Sequence, residues 1–343
     1  MNGHEQDALW QSLQEKVEFL TRPTSYLEEC TTVESIETHM SWVFLTNNHA
    51  YKLKKPVLLP YMNMISLQQR HLACLRELKL NQFLAADIYR DVVPLIEGKP
   101  HQFYPVGSFA KGKTAEWMVK MQRFPREKTL DQAIINNRID INLLEKAASM
   151  LTDFYQQSPP AAVKPETFLH RLEQSLLENK KVLSQPEHGL EPFLVEEVYR
   201  TQKNQLKELS NEILARVRTG KIIECHGDLR PEHICLASPP VIIDRLEFSL
   251  DLRMMDPIEE LAYLFIECDL LGRPDIGDFF CGTYQKALQD VFSSDLFLFY
   301  KSCRASLRAK LSIWHIEDPR THDVDKWQEK IRKYFDYSTI ICH

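Results

Sequence analysis

The chain has 343 residues, of which 44% are hydrophobic and 26% are charged, a composition typical of a globular protein with a sizeable core. Its formal net charge of −6 excludes a global basic field, so we expect neither nucleic acid nor an anionic membrane as a partner. The eight cysteines form no CxxC pair, and the polar start MNGHEQDALW lacks a signal-peptide pattern. Both observations predict reduced thiols and a cytoplasmic location.

The first part of the chain, up to Pro125, combines helix and strand patterns. Two short apolar runs flank Asn47-Asn48, a pair that tolerates the positive φ of a tight hairpin. The segment 115–124 alternates like a strand but also allows a short helix. The predicted elements are helices over 7–20 and 67–89, and strands within 41–57, over 92–98 and over 115–124.

The remainder of the chain is mostly helical in pattern. Long amphipathic segments with apolar residues at three- and four-residue spacing follow Pro125. A compact run of short strands and loops interrupts them at 221–247. The predicted helices are 140–155, 165–183, 193–217 and 257–271, with further helices up to the C-terminus.

The most informative stretch is HGDLRPEH (226–233), followed by VIIDRLE (241–247). Asp228 lies in a tight His-Gly-Asp turn, and Asp244 ends an apolar segment sixteen residues later. Two carboxylates brought together by a strand-loop-strand excursion can divide two tasks. One accepts the proton of an attacking hydroxyl, and the other holds Mg²⁺ on the phosphates.

This order and spacing resembles the aminoglycoside phosphotransferase branch of the protein kinase-like fold, whose signature is HGDLxxxN followed by IDxE or IDxxE. DPIEELAY (256–263) is similar to the DPxxDLA segment of that family. More narrowly, THMSWVFLTNNHAYKLKKPV, ELKLN and IDRLEF resemble uncharacterised bacterial phosphotransferase-like proteins. Some of those carry an extra C-terminal P-loop kinase domain, for which we expect no room here.

The resemblance implies an α+β, protein kinase-like, two-lobed fold. A small, strand-rich, nucleotide-binding N-lobe would cover 1–118, and a larger, mostly helical C-lobe with the catalytic and acceptor-binding groups would cover 119–343. The implied activity is transfer of the γ-phosphate of ATP, with Mg²⁺, to a hydroxyl of a small-molecule acceptor. Asp228 and His226 would be catalytic, and Asp244 would bind the metal.

One position departs from the family pattern. His233 stands where the family has Asn, five residues after Asp228. Asn offers an oxygen to Mg²⁺, whereas imidazole offers a nitrogen that suits softer metals. Either His233 is a weaker second metal ligand, or Asp244 alone holds Mg²⁺, or turnover is lost. The last case makes the protein a pseudokinase, a nucleotide-binding or scaffold protein without turnover.

The nucleotide side of such a site needs a strand lysine and a helical glutamate that holds it. Lys52 and Lys54 share one face of a predicted strand, and we favour Lys52 for the phosphates, with Glu77 as its partner. We expect the backbone near Lys120 and Met121 to bind adenine.

The acceptor side could use a basic stripe on a helix. Lys301, Arg304 and Arg308 fall on one helical face, and Arg230 lies close to Asp228 in sequence. Such a stripe could hold an anionic acceptor. The alternative is an ordinary solvated or acid-paired helix face.

GSFAKGKT (107–114) also matches the P-loop pattern, which makes a P-loop nucleotide hydrolase a lesser alternative. A working P-loop follows a buried strand and opens a helix. Here the preceding segment KPHQFYPV contains two prolines, and the following segment alternates like a strand. We therefore interpret GSFAKGKT as a surface loop in which Lys113 is not the phosphate lysine.

Overall fold

The computed structural model describes residues 3–59, 62–317 and 323–342. The chain divides into two compact units. The first consists of Met1–Lys128 together with Val241–Leu250, and the second of Thr129–Pro240 and Asp251–His343. The boundary thus lies at Lys128 instead of residue 118, and the segment that carries Asp244 belongs to the first unit. Within the described ranges, no helix is both long and apolar enough to cross a membrane.

The first unit is rich in strands. Six of its strands form one antiparallel sheet in the order β1-β2-β3-β8-β6-β7. Its elements up to Lys128 are α1 (Gly3–Leu20), β1 (Glu34–Glu37), β2 (Ser41–Leu45), β3 (His49–Lys54), β4 (Leu58–Leu59), β5 (Met62–Asn63), α2 (Leu67–Ala85), β6 (Tyr89–Lys99), β7 (Gln102–Phe103) and β8 (Lys113–Gln122).

The hairpin at Asn47-Asn48 is confirmed. It joins β2 to β3, and the backbone N–H of Thr46 donates to the carbonyl of His49 at 2.9 Å. Neither asparagine adopts a positive φ. The segment 115–124 lies mostly within strand β8 and not in a short helix, since β3 and β6 pair with it on either side.

A hydrophobic core and one ion cluster join α1 and α2 to the sheet. Leu13, Leu20, Phe44 and Met118 are buried in the same cluster of apolar side chains. Beside them, the carboxylate of Glu116 accepts hydrogen bonds from Lys16 and Arg70, all three being buried. Burial of this size is the main stabilising contribution to such a unit.

The second unit is mostly helical. The predicted helix over 193–217 is two helices that meet at Leu209, where the hydroxyl of Ser210 donates to the carbonyl of Lys207. The later elements of the chain are α3 (Leu130–Ile135), α4 (Ile141–Gln157), α5 (Pro165–Leu183), α6 (Pro192–Glu208), α7 (Ser210–Arg218), β9 (Ile223–Glu224), β10 (Ile234–Cys235), β11 (Val241–Ile242, in the first unit), α8 (Leu250–Arg253), β12 (Met254–Met255), α9 (Pro257–Leu270), α10 (Pro274–Leu288), α11 (Ser294–Glu317) and α12 (Val324–Cys342).

A buried ion cluster fixes the start of α9. Asp256 caps this helix by accepting from the N–H of Ile258, and its carboxylate accepts two hydrogen bonds from Arg216, one from Nε and one from a terminal nitrogen of the guanidinium. Arg216 also reaches Asp290 at 2.8 Å, and Lys221 lies 3.0 Å from the same carboxylate. We call these four residues the Arg216 cluster.

Candidate functional site

Two lysines of β3 share one glutamate of α2. Lys52 Nζ lies 2.9 Å from Glu77 Oε1, and Lys54 Nζ lies 2.6 Å from Glu77 Oε2. Residues i and i+2 of a strand point to the same face, so both ammonium groups reach one helix. Glu77 is fully buried, and the ion pairs offset the cost of burying its charge.

Two further carboxylates from the segment after β11 complete this group. Lys52 Nζ donates to Asp244 Oδ1 at 2.5 Å, and Lys54 Nζ contacts Glu247. The side chain of Lys52 is 14% exposed, whereas that of Lys54 is 3% exposed. We call these five residues the Lys52 cluster. Within this cluster, Lys52 is therefore more accessible to solvent than Lys54.

Asp244 is the most exposed carboxylate of the cluster, with 39% of its side chain accessible. Its backbone is in the left-handed region with φ of 63°, and its N–H donates to the hydroxyl of Tyr89 at 3.1 Å. A non-glycine residue held in this conformation costs on the order of 1 kcal/mol or more, and such strain concentrates at functional sites.

Charge in the Lys52 cluster is unbalanced. Burial alone would lower the pKa of Lys52, but the carboxylates of Asp244 and Glu77 raise this pKa well above its usual value. Burial would raise the pKa of Glu77, and the two lysines lower it. Lys52 and Glu77 are therefore both charged near neutral pH. By residue type, the cluster contains three carboxylates and two ammonium groups.

In the second unit, Glu260 of α9 holds the turn that presents Asp228. Its carboxylate accepts from the backbone N–H groups of His226 and Gly227 at 3.1 and 2.5 Å, and from the hydroxyl of Tyr155 at 2.8 Å. Gly227 has φ of 90°, a conformation that favours glycine. Burial raises the pKa of Glu260 in spite of these hydrogen bonds.

His226 lies beneath this turn. It is fully buried, and its Nδ1 accepts from the N–H of Asp228 at 3.3 Å. It therefore positions the turn. The sequence-based assignment of His226 as a catalytic group stays a prediction, and the contacts described here support a positioning role for its ring.

Arg230 and His233 surround the Asp228 carboxylate. One guanidinium nitrogen of Arg230 donates to Asp228 Oδ2 at 3.0 Å, and the other donates to Glu232 at 2.5 Å. His233 Nδ1 lies 2.7 Å from the backbone carbonyl of Asp228, and its Nε2 lies 3.1 Å from Arg230. This network assigns the tautomer in which Nδ1 donates and Nε2 accepts.

These contacts bear on the expected Mg²⁺. Both ring nitrogens of His233 already form hydrogen bonds, so His233 does not fit the metal-ligand role that its sequence position suggested. Asp244 does fit, because Mg²⁺ takes one or two protein carboxylates together with phosphate oxygens and water. In the ranges that the structure describes, no group of three or more His, Cys, Asp or Glu side chains is arranged to hold a metal.

The basic stripe of α11 meets three different environments. Arg304 forms an ion pair with Glu259 at 2.7 Å. Lys301 Nζ lies 3.8 Å from the centroid of the Phe265 ring, and burial lowers the pKa of Lys301. Only Arg308 lies near the Asp228 turn, and its surroundings are described further below. The stripe is thus not one continuous cationic surface.

The expected adenine-binding backbone lies within a strand. Lys120 and Met121 belong to β8, and each has a partner in both β3 and β6. Their backbone groups are therefore part of the sheet. The strand ends at Gln122, and the N–H of Arg123 donates to the carbonyl of Asn48 at 2.8 Å.

The P-loop-like sequence is a surface loop. It connects β7 to β8, Phe109 at its centre is fully exposed, and Lys113 begins a strand. A P-loop needs a helix N-terminus behind its lysine, and β8 occupies that position. The structure thus agrees with a loop and not with a P-loop nucleotide site.

Several residues of these groups were not assigned a role from the sequence. Glu247 and Glu260 stand in the quoted motifs IDRLEF and DPIEELAY, so the motif spacing was a usable signal for both. Tyr89 carries no such signal. Tyr263 ends the motif DPIEELAY; it is buried, and its hydroxyl reaches Asp228 Oδ1 at 3.4 Å.

Comparison with known proteins gives distant relatives. No protein-family model matches the sequence. Uncharacterized proteins of Mycobacterium tuberculosis and Mycobacterium bovis are each 29% identical over 281 residues, which cover 80% of this chain and 53% of the relative. The chain therefore spans about half the length of the curated relatives it matches.

Solved structures of two kinds of phosphotransferase resemble the whole chain. The GDP complex of aminoglycoside 2'-phosphotransferase-IIIa has a TM-score of 0.54 at 15% identity and covers 94% of this chain and 98% of its own. A choline kinase of Streptococcus pneumoniae has a TM-score of 0.53 at 16% identity, covering 94% and 99%. A choline/ethanolamine kinase family protein of Mesorhizobium loti has a TM-score of 0.52 at 12% identity, covering 96% and 98%. The chain therefore has the α+β, protein kinase-like fold of aminoglycoside phosphotransferases and choline kinases, as the sequence resemblance predicted.

Proposed function

We propose that the protein is a phosphotransferase that moves the γ-phosphate of a nucleoside triphosphate, in the first place ATP, to a hydroxyl of a small molecule. The observation that carries this proposal is the position of Lys52, whose ammonium group is shared by Glu77 and Asp244. A lysine held in this way, beside an exposed carboxylate, suits the phosphates of a nucleotide and their metal ion.

The first unit binds the nucleotide phosphates in this proposal. Lys52 donates to phosphate oxygens, while Lys54 stays buried and fixes Glu77. Asp244 and the excess negative charge of the Lys52 cluster attract a divalent cation. When bound, Mg²⁺ neutralises charge that develops on the phosphates during transfer.

The second unit activates the acceptor. Asp228 accepts the proton of the acceptor hydroxyl while the hydroxyl oxygen forms a bond to the γ-phosphorus. The bond from that phosphorus to the β–γ bridging oxygen breaks, and the nucleoside diphosphate leaves with the electron pair. Arg230 stabilises the ionised form of Asp228, and Glu260 and His226 position the turn.

A nucleotide-binding protein without turnover is a second candidate. The observation in its favour is His233, which uses both ring nitrogens in hydrogen bonds and supplies no oxygen to a metal. In that case the Lys52 cluster still binds nucleotide, but the phosphoryl group is not transferred. Both candidate functions predict nucleotide binding, but only the phosphotransferase predicts transfer of the phosphoryl group.

The test separates binding from turnover. Melting temperatures with ATP or GTP, each with Mg²⁺ or Mn²⁺, report nucleotide binding, and GTP is included because one structural neighbour is a GDP complex. Release of nucleoside diphosphate is then followed with a panel of alcohols. We expect Asp228→Asn to lower turnover by about 10³-fold and to leave the nucleotide-dependent rise in melting temperature unchanged.

Asp153→Asn, at an exposed position of α4, is the matched control and should behave like the parent protein. Binding without turnover in the parent protein would support the second candidate. Absence of any nucleotide-dependent stabilisation would contradict both.

A further inference from the structure

The guanidinium of Arg308 lies close to the Asp228 turn. It stacks between two tyrosine rings, 5.5 Å from the centroid of Tyr263 and 5.3 Å from that of Tyr334. The hydroxyl of Tyr263 in turn donates to Asp228 Oδ1. A single tyrosine therefore separates Arg308 from the carboxylate to which we assign proton transfer.

The guanidinium of Arg308 forms few hydrogen bonds with the rest of the protein. Its nearest carboxylate oxygen is Glu267 Oε1, 3.5 Å from Nε, and this oxygen accepts from the hydroxyl of Tyr334 at 2.7 Å. Arg308 shares a side-chain hydrogen bond with Tyr334, but in the part of the chain that the structure describes no carboxylate or backbone carbonyl accepts a hydrogen bond from it, and its buried Nε forms no hydrogen bond. Arginines with only 14% of the side chain exposed normally donate to several acceptors.

The other arginines of this unit show the contrast. Arg304 lies one turn earlier on α11, on the same face, and forms an ion pair with Glu259 at 2.7 Å. Arg216 forms paired hydrogen bonds to Asp256 and Asp290. Arg308 instead has the longer, 3.5 Å ion pair with Glu267, so its paired donors are not matched by a close carboxylate.

Two more cations lie in the electrostatic field of Arg308. Arg230 contacts Asp228 and Glu232, and its buried Nε also has no partner. Burial and the charge of Arg308 both lower the pKa of Lys330 on α12. Burial raises the pKa of Glu267, whose carboxylate forms the 3.5 Å ion pair with Arg308.

We propose that Arg308, with Arg230, binds an oxyanion of the acceptor, so that the phosphorylated alcohol carries a carboxylate or a phosphate group. A planar guanidinium recognises either oxyanion by paired hydrogen bonds. The ammonium group of a cationic acceptor cannot accept hydrogen bonds from a guanidinium, so it would not use the donors of Arg308. This inference rests on the proposed phosphotransferase activity and narrows its substrate class.

The first arm of the test needs no nucleotide. Melting temperatures are measured with malonate, inorganic phosphate or choline chloride at constant ionic strength. We expect a rise with malonate, phosphate or both, none with choline, and loss of the rise in Arg308→Gln. Lys52→Met is the key comparison, since inorganic phosphate could also bind beside Lys52. A rise that Lys52→Met abolishes and Arg308→Gln retains would overturn the inference.

The second arm uses turnover with ATP and Mg²⁺. Glycerol, glycerate, glycerol 3-phosphate and choline differ in the charge next to a hydroxyl, so they separate carboxylate from phosphate recognition and from a cationic acceptor. We expect the anionic alcohols to react best, and Arg308→Gln to raise their KM roughly 10- to 100-fold with an unchanged KM for ATP.

Arg332→Gln removes one charge from an exposed position of α12 and should leave these values unchanged. Arg308→Lys keeps the charge and serves if Arg308→Gln does not fold; it should still raise KM, because lysine lacks the paired donors. Turnover with choline alone would overturn the inference and leave the phosphotransferase proposal intact. Absence of nucleotide binding, with the malonate rise retained, would instead contradict the phosphotransferase proposal.

Discussion

The Lys52 cluster and the Arg216 cluster are both buried groups of acidic and basic side chains, but they differ in balance. The Arg216 cluster has two cations and two carboxylates, and Asp256 and Asp290 are both buried. The Lys52 cluster has three carboxylates for two cations, and one of them, Asp244, is exposed on a strained backbone. The Arg216 cluster has equal numbers of cations and carboxylates, whereas the Lys52 cluster has one more carboxylate than cations and includes an exposed carboxylate.

We interpret the balanced Arg216 cluster as stabilising, and the Lys52 cluster, with its extra exposed carboxylate, as the one proposed to bind a ligand. A closed cluster compensates its own desolvation, so removal of one partner leaves an isolated buried charge. An open cluster tolerates the loss of a partner better, because water or another member replaces it. Three substitutions test this distinction, in order of decreasing effect.

Arg216→Met should cost about 3–5 kcal/mol of unfolding free energy, because Asp256 and Asp290 remain buried without their main cation. Urea denaturation measures this loss. Arg218→Met, two residues later at an exposed position, is the matched control and should change stability by less than about 0.5 kcal/mol. A loss below about 1 kcal/mol in Arg216→Met would mean that the Arg216 cluster is not a closed structural unit.

Lys52→Met should have a small effect on folding and a large effect on nucleotide binding. Glu77 keeps Lys54 as its partner and Asp244 faces solvent, so we expect a loss of about 1 kcal/mol in stability. The affinity for ATP should fall roughly 10- to 100-fold, which removes most of the nucleotide-dependent rise in melting temperature.

Lys79→Met, at an exposed position of α2, controls for the loss of a charge. The comparison with Lys54→Met decides between the two lysines of β3. Loss of nucleotide binding in Lys54→Met, with retention in Lys52→Met, would reverse their proposed roles.

Glu77→Gln should flatten the acid side of the stability profile. The two lysines depress the pKa of Glu77 in the folded protein below its value of about 4.5 in the unfolded chain. Its charged form therefore stabilises the fold above that pH, and this contribution is lost as pH falls through the folded pKa. In thermal unfolding experiments, the parent protein should be more stable than Glu77→Gln by about 1 kcal/mol at pH 7, and this difference should decrease as the pH falls to 3.

Glu145→Gln on α4 is the exposed control for this profile. If the difference in unfolding free energy between the parent protein and Glu77→Gln stayed constant down to pH 3, the ionised form of Glu77 would not be what stabilises the fold.

Local patterns in the sequence were sufficient for most of the elements. The Asn47-Asn48 hairpin, the strand over 115–124 and the helix at 165–183 depend on neighbouring residues, so turn chemistry and periodicity identify them. The pairing of Lys52 with Glu77 was predictable from motif spacing, whereas its contact with Asp244 was not. The boundary at Lys128 was not predictable either, because the packing of a late segment onto α2 is a long-range contact: Asn81 accepts from the N–H of Arg245.

The contacts of individual side chains were harder to predict from the sequence than the secondary structure or the motif pairings. Spacing placed Arg304 and Arg308 on one face of α11, but only the folded α9 shows that Glu259 pairs with one of them and Tyr263 stacks on the other. His233 is similar: its residue type suggested a weak metal ligand, and its hydrogen bonds to Asp228 and Arg230 depend on the conformation of the turn.

The left-handed backbone of Asp244 has a consequence for protein engineering. Glycine adopts φ of 63° without a steric cost, but Asp244→Gly would also remove the ion pair with Lys52 and the carboxylate that we assign to the metal ion. A design screen that weighs backbone conformation alone is therefore expected to propose this substitution at the cost of phosphoryl transfer.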